Sequence, residues 1–126
     1  MEKIMIVDDD VSATTLIEKI IRMEGYEATS LNDSSRALEV AASVHPDLFI
    51  LDLMMPEPTG FQLCRMLRAT SEFRFTPIII VTALDDSDSK VVAFGAGAND
   101  YLTKPFRIED LTSRVGTLLG RAKEEE

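Results

Sequence analysis

At 126 residues, 45% hydrophobic and 28% charged, the chain has the length and make-up of one globular domain able to bury its own core. A formal net charge of −9 leaves no surplus of lysine and arginine to grip nucleic-acid phosphates; with one cysteine and one histidine, an internal disulfide framework and a zinc cluster are also excluded. No apolar run approaches the roughly 20 residues of a membrane span and the start lacks a signal-peptide pattern, so a reducing cytoplasm is expected, and oxygen ligands with hard cations remain open.

In chain order, residues 4–7 read as a buried strand that stops at Asp8-Asp9-Asp10. Ser12 is placed to cap a helix with Leu16, Ile17, Ile20 and Ile21 on its apolar face and Gly25 just past its end. Residues 26–31 alternate apolar and polar, as a half-exposed edge strand does. Asn32, Asp33 and Ser34 offer caps for a second helix, with Ala37, Leu38, Ala41 and Val44 inward and Pro46 ending it. Leu48–Leu51 is too short for a lone helix and reads as a strand buried on both faces; it delivers Asp52 to a loop punctuated by prolines and Gly60.

A third helix follows Gly60, with Phe61, Leu63, Cys64 and Leu67 inward, and a polar connection over 70–76 carries Phe73 and Phe75. Residues 78–81 form the most apolar strand, which stops at Thr82. Asp85, Asp86, Ser87 and Asp88 start a short helix terminated by Gly95 and Gly97. Residues 100–103 are a short strand ended by Lys104-Pro105, and Ile108, Leu111, Val115, Leu118 and Leu119 line the inner stripe of a last helix. Residues 121–126 are a charged tail.

Strands and helices that alternate five times make an α/β protein with a parallel five-stranded sheet and right-handed crossovers. The uniformly apolar strands 1, 3 and 4 belong in the centre and the mixed or short strands 2 and 5 at the edges. The order 2-1-3-4-5 satisfies this: a doubly wound, flavodoxin-like (βα)5 sandwich with its ligand site beyond the carboxyl ends of the strands. Residues 1–122 form the expected domain, with 123–126 a tail or the start of a linker.

That topology gathers Asp8, Asp9, Asp52, Thr82 and Lys104 on one rim. Alone, Asp52 reads as the start of a turn. Beside two more acids it needs a shared cation, because clustered carboxylates repel, and a water-rich oxygen site suits Mg2+. Thr82 adds a hydroxyl and Lys104 a point charge for a phosphoryl oxygen, so the set matches phosphoryl transfer onto a carboxylate.

Ile6-Val7-Asp8-Asp9, Asp52-Leu53-Met54-Met55-Pro56, Thr82-Ala83 and the run 97–106 (Gly97 to Phe106, with Tyr101, Lys104 and Pro105), in this order, resemble the receiver domain of two-component response regulators over nearly the whole chain. The resemblance implies a signalling switch that promotes only its own phosphorylation and dephosphorylation. Asp52 would accept a phosphoryl group from the phosphohistidine of a sensor histidine kinase or a histidine phosphotransfer protein. Mg2+ would be bound by Asp9, Asp52 and the Met54 backbone carbonyl, with Asp8 assisting through water. Thr82, the Ala83 backbone N–H and Lys104 would hold the phosphoryl oxygens. Movement of Thr82 and Tyr101 would then bias the surface of helix 4, strand 5 and helix 5 toward an effector domain or a downstream protein. The resemblance further implies a cis Lys104-Pro105 bond. Lys90 with Asp110, and Asp100 with Arg114, resemble the pairing of a phosphorylation-strengthened homodimer in one DNA-binding subfamily; with Asn99 in place of an acid that would pair with Arg121, the reading as solvated charges comes first and the homodimer second.

Several residues carry plainer readings. Thr59 stands where many receivers have an acid and reads as a helix cap; Asp10 is a solvated loop acid, His45 a helix-end histidine and Cys64 core. Met54 and Leu84 are apolar where the family tunes water attack, which predicts slow self-hydrolysis. Competing functions fit less well. An aspartyl phosphatase wants a second Asp where Met54 stands, and an FMN carrier would not place three acids after strand 1. A degenerate, non-phosphorylated receiver would not keep Asp8, Asp9, Asp52, Thr82 and Lys104 intact.

Overall fold

The structure, a computed structural model, describes residues 1–125, with side chains as far as residue 120. The boundary expected at residue 122 and the tail beyond it lie outside the residues whose side chains are described. In chain order the elements are β1 (Lys3–Val7), α1 (Val11–Met23), β2 (Glu27–Leu31), a 3-10 turn (Ser34–Arg36) running into α2 (Ala37–Val44), β3 (Leu48–Leu51) and α3 (Gly60–Ala69). A second 3-10 turn (Ser71–Phe73), β4 (Ile78–Thr82), α4 (Ser87–Ala96), β5 (Asp100–Thr103) and α5 (Ile108–Glu125) follow. The strands are all parallel in the order β2-β1-β3-β4-β5, the expected topology.

The apolar runs are explained by helices on both faces of the sheet. Successive strand side chains point to opposite faces. Met5, Val7, Phe49, Leu51, Ile78 and Ile80 meet α2, α3 and α4 on one side. Ile4, Ile6, Leu48, Ile50, Ile79 and Val81 meet α1 and α5 on the other. Strand β2, with one neighbour and a half-exposed sequence, is the edge its alternation predicts.

Four local expectations are corrected. Asp10, not Ser12, caps α1, its carboxylate accepting the Ser12 N–H at 2.9 Å, so the helix begins one residue before Ser12. Leu16 is 51% exposed, because a step of about 100° from Ile17 takes it off the inner stripe, where Thr14 is buried instead. Ile108 opens α5 and is 55% exposed, a turn before the stripe reaches the sheet at Leu111. Gly95 lies inside α4; the helix ends at Gly97 alone, whose φ of 114° is the left-handed conformation that favours glycine. Of the two connection phenylalanines, Phe73 is buried edge-on to Phe49 and Phe75 is exposed.

Other ends fall as read. Helix α2 stops at His45, in the left-handed region just before Pro46, and the His45 ring pairs with Glu72. Gly25 follows the α1 cap residue Glu24 with φ 91°. Thr59 caps α3 in a reciprocal box, accepting the Gln62 N–H while the Gln62 side chain accepts that of Thr59.

One side chain ties four segments together. From α3, half-buried Arg68 donates to the carbonyls of Phe73, Thr76 and Gly97 and to the Asn99 side chain, at 2.6–3.0 Å. It thereby fastens the C-terminal end of α4, a helix that buries only Ala93 and Ala96.

Candidate functional site

Parallel register brings the expected residues to one rim. Val7 is level with Leu51, so the chain leaves β1 at Asp8 and β3 at Asp52 side by side; the Asp52 N–H donates to the Val7 carbonyl and that of Asp8 to the Leu31 carbonyl, both at 3.1 Å. Thr82 is level with Thr103, and Lys104 donates its N–H to the Thr82 carbonyl at 2.8 Å. The chemistry-bearing side chains therefore hang from the ends of four neighbouring strands.

Carboxylate oxygens of Asp8, Asp9 and Asp52 all lie within 4.8 Å of one another. Asp8 and Asp52 are buried and Asp9 faces solvent. The Lys104 ammonium sits between the buried pair, 2.8 Å from Asp8 Oδ2 and 3.4 Å from Asp52 Oδ2. The other oxygen of each acid is held by backbone, Asp8 Oδ1 by the Asp10 N–H at 2.9 Å and Asp52 Oδ1 by the Met54 N–H at 3.2 Å. Burial pushes the Asp8 carboxyl up, with the Asp52 charge adding to it, against the hydrogen bonds from Lys104 and Asp10. Burial works against the Lys104 charge too, yet the Asp8 and Asp52 carboxylates hold it above its ordinary value. A site with three acids and one lysine attracts further positive charge.

The donor set fits a hard divalent ion: oxygen only, three carboxylates at close quarters, one side open to water. Asp10 is outside this group, its carboxylate being the α1 cap, in line with its reading as a loop acid. Met54 adjoins the cluster through its backbone, with its side chain exposed.

Across the rim, Thr82 is fully buried, and its hydroxyl accepts from the Leu84 N–H at 3.5 Å. Tyr101 is buried as well. Its hydroxyl donates to the Leu84 carbonyl at 2.7 Å, its ring centroid lies 6.3 Å from that of Phe94, and the Lys90 ammonium is 5.8 Å from the ring. Burial, followed by the charges of Asp86, Asp85 and Asp52, raises the Tyr101 pKa, so the phenol remains a donor. Thr82 and Tyr101 thus hold the same short loop, each through Leu84.

Two pairs expected across a dimer have partners within the chain. Arg114 closes on Asp100, and Lys90 reaches Asp85 at 3.3 Å. The Lys104-Pro105 bond is cis; so is Glu57-Pro58, which the sequence did not single out.

Three residues read only as turn or cap formers prove to touch the site's framework. A Cβ on Gly60 would stand 2.1 Å from the Asp52 carbonyl oxygen, so α3 starts against the backbone of Asp52 and only glycine fits. Asn32 donates to the Asp8 carbonyl at 2.8 Å and to Thr14 Oγ1 at 3.0 Å. Ser34, buried, donates to the Pro56 carbonyl at 3.1 Å. The turn chemistry of these residues is visible in the sequence; the carbonyls they meet lie in the loops that leave β1 and β3, and local spacing carries no sign of them.

Comparison with known proteins agrees with this geometry. Residues 4–116 match the family model described as the response regulator receiver domain. The chain is 38% identical over 121 residues to the DNA-binding dual master transcriptional regulator RpaA of Synechocystis, covering 96% of this chain and 50% of that protein. It is 39% identical over 124 residues to the response regulator MprA of Mycobacterium avium, covering 98% and 54%. The chain spans about half the length of the curated relatives it matches. Among solved structures, the Vibrio cholerae chemotaxis protein CheY4 superimposes with a TM-score of 0.88 at 31% identity, over 94% of this chain and 98% of that one.

Proposed function

The chain belongs to the response regulator receiver family, whose members are phosphorylation-based signalling switches, and on that premise we propose that Asp52 is its phosphoryl acceptor. The observation that carries this is the convergence of Asp8, Asp9 and Asp52 within 4.8 Å, with Lys104 bridging the two buried acids. The donor is the phosphohistidine of a sensor histidine kinase or of a phosphotransfer protein. An Asp52 carboxylate oxygen attacks phosphorus in line; the P–O bond forms as the P–N bond breaks, and the imidazole leaves with the electron pair and takes up a proton.

Lys104, the Thr82 hydroxyl and the Ala83 N–H hold the phosphoryl oxygens. Asp9, Asp52 and the Met54 carbonyl would hold Mg2+, with Asp8 assisting through water, and the ion when bound would supply neutralisation of equatorial oxygen charge. The chain catalyses only its own modification and its reversal. New charge on Asp52 draws Thr82 toward it, and Tyr101, linked to the same loop, transmits the change to the α4, β5 and α5 surface. That surface speaks to an effector domain or a downstream protein.

We place the protein in the cytoplasm, where such kinases present their histidine; among the described residues no helix is long and apolar enough to cross a membrane. The full receiver unit is residues 1–122.

The test is incubation with acetyl phosphate and MgCl2. The expected product carries an acid-stable, hydroxylamine-labile mass increase of about 80 Da, the mass a phosphoryl group adds. Asp52→Asn abolishes it. A wild-type chain that stays unmodified, or an Asp52→Asn chain that is still modified, overturns the assignment.

A further inference from the structure

We propose that Asn32 and Ser34 are positioning residues for the acid cluster, a two-armed brace from the turn after β2 that sets the spacing of both carboxylate-bearing loops. The proposal rests on the metal-site reading above. Ladder hydrogen bonding fixes the rim only as far as Asp8 and Asp52, whose N–H groups end the pairing with Leu31 and Val7. Beyond them lie two loops, residues 8–10 and 52–59, carrying acids that repel one another. The Lys104 ammonium offsets this for Asp8 and Asp52, and Asp9 lies outside its two contacts.

The turn after β2 reaches both loops. One arm is the Asn32 amide, which bridges the Asp8 carbonyl to buried Thr14 Oγ1; Thr14 in turn donates to the Val11 carbonyl at 3.1 Å, tying the end of β1 to the first turn of α1. The other arm is Ser34 Oγ, which passes beyond β1 to the Pro56 carbonyl in the loop that follows Asp52. The turn itself is pinned between the arms, since the Asp33 carboxylate accepts both the N–H and the hydroxyl of Ser35, at 3.1 and 2.6 Å.

Both arms are neutral hydrogen bonds to backbone carbonyls. They resist separation of the loops without changing the field at the site, which a lysine or arginine in their place would do. Without them the binding-competent spacing is populated less often, and the apparent dissociation constant for the ion rises by the inverse of that population. Excess ion restores the arrangement by mass action. A merely structural role would lower stability and leave ion affinity alone.

The experiment is calorimetric titration of the full chain with MgCl2 for wild type, Asn32→Leu, Asn32→Ala, Ser34→Ala and the Asn32→Ala/Ser34→Ala double variant, beside urea unfolding in EDTA to establish that each is folded. Partners that orient metal ligands change affinity about 10–100-fold when removed; acting here through backbone, each single variant should raise the magnesium Kd about threefold or more, and the double variant about tenfold. At saturating MgCl2 the rate of Asp52 modification by acetyl phosphate should return to at least half the wild-type rate. Variant Kd values less than threefold above wild type, or rates that saturating MgCl2 does not restore, overturn the brace alone. A wild-type chain that takes up no Mg2+ overturns the metal reading and the brace together.

Discussion

Helices α1 and α4 each follow a strand that ends on the functional rim, and they are seated very differently. Helix α1 drives Ile17, Ile20 and Ile21 into the sheet, and its buried Thr14 joins the network around Asp8. Helix α4 buries two alanines, both in its last turn, and leaves Val91, Val92 and Phe94 exposed. Its firm attachment is at its end, where Arg68 grips the Gly97 carbonyl. A side chain the size of isoleucine contributes roughly 1.5–3 kcal/mol when fully buried, and a methyl far less, so equal helical form conceals unequal anchorage. The half of the rim holding Asp8, Asp9 and Asp52 is mounted on a deep element, and the half holding Thr82 and Tyr101 lies next to a shallow one. In a switch, the first arrangement suits a site that must keep its shape, the second a surface that must give way.

The largest expected contrast lies in anchorage. Ile21→Ala should lower unfolding free energy by about 2–5 kcal/mol, as large-to-small changes in a sealed core do. Phe94→Ala, at a half-exposed position, should cost less than about 1 kcal/mol. Urea denaturation measures both, and equal losses would break the comparison.

Next come two glycines, one from each half. Gly60→Ala forces a methyl against the Asp52 carbonyl, which is backbone and cannot swing aside, for a loss of about 1–3 kcal/mol or more and a weaker magnesium affinity. Gly97→Ala meets the Arg68 side chain and a left-handed φ, together about 1–2 kcal/mol, and should leave magnesium affinity unmoved. Equal effects on magnesium binding would mean the halves are coupled at rest.

The lifetime of the phosphorylated form should respond to both halves, because Met54 stands at one lip and Leu84 at the other. Met54→Asn and Leu84→Glu should each shorten the half-life by about tenfold, equivalent to about 1.4 kcal/mol in the hydrolysis barrier. Unchanged decay of acetyl-phosphate-labelled protein in both variants would remove these side chains from water control.

The smallest effect is a matter of pH. Asp86 caps α4 by accepting the N–H and hydroxyl of Ser89, which hold its carboxyl below the ordinary 3.8. A depressed value in the folded state means the cap is intact above the ordinary value and is lost as pH falls through the native one. The Ser89 amide resonance should therefore move between pH 4 and the acid limit of folding, and Asp86→Asn should shift that amide at neutral pH and flatten its acid titration.

Much of this was legible in the chain. Strand order followed from which apolar runs were continuous, and the rim from which residues ended them; Asp8, Asp9, Asp52, Thr82 and Lys104 each stand where a strand stops. What escaped were details set by tertiary placement. Asp10 and Ser12 are both able caps, and one residue of register decided between them. Leu16 and Ile108 are apolar at plausible positions, yet the rotation of each helix against the sheet left them outside. Arg68 carried no signal at all, because the carbonyls it binds belong to three separate segments. Gly60, Asn32 and Ser34 were recognised for their local turn chemistry, while their contacts to the backbone of Asp52, Asp8 and Pro56 respectively depend on how the rim loops come together.

The setting of Tyr101 has an optical consequence. The chain has no tryptophan and two tyrosines, so its near-ultraviolet emission comes from Tyr26 and Tyr101 alone. Tyr26 packs on the α1 and α5 face, near the start of β2. Tyr101 lies buried beside Phe94 with its hydroxyl on the Leu84 carbonyl, a bond that influences how a phenol emits. A Tyr26→Phe chain would hold a single native fluorophore, seated where the loop after β4 meets β5, and would report the state of the rim without any attached dye.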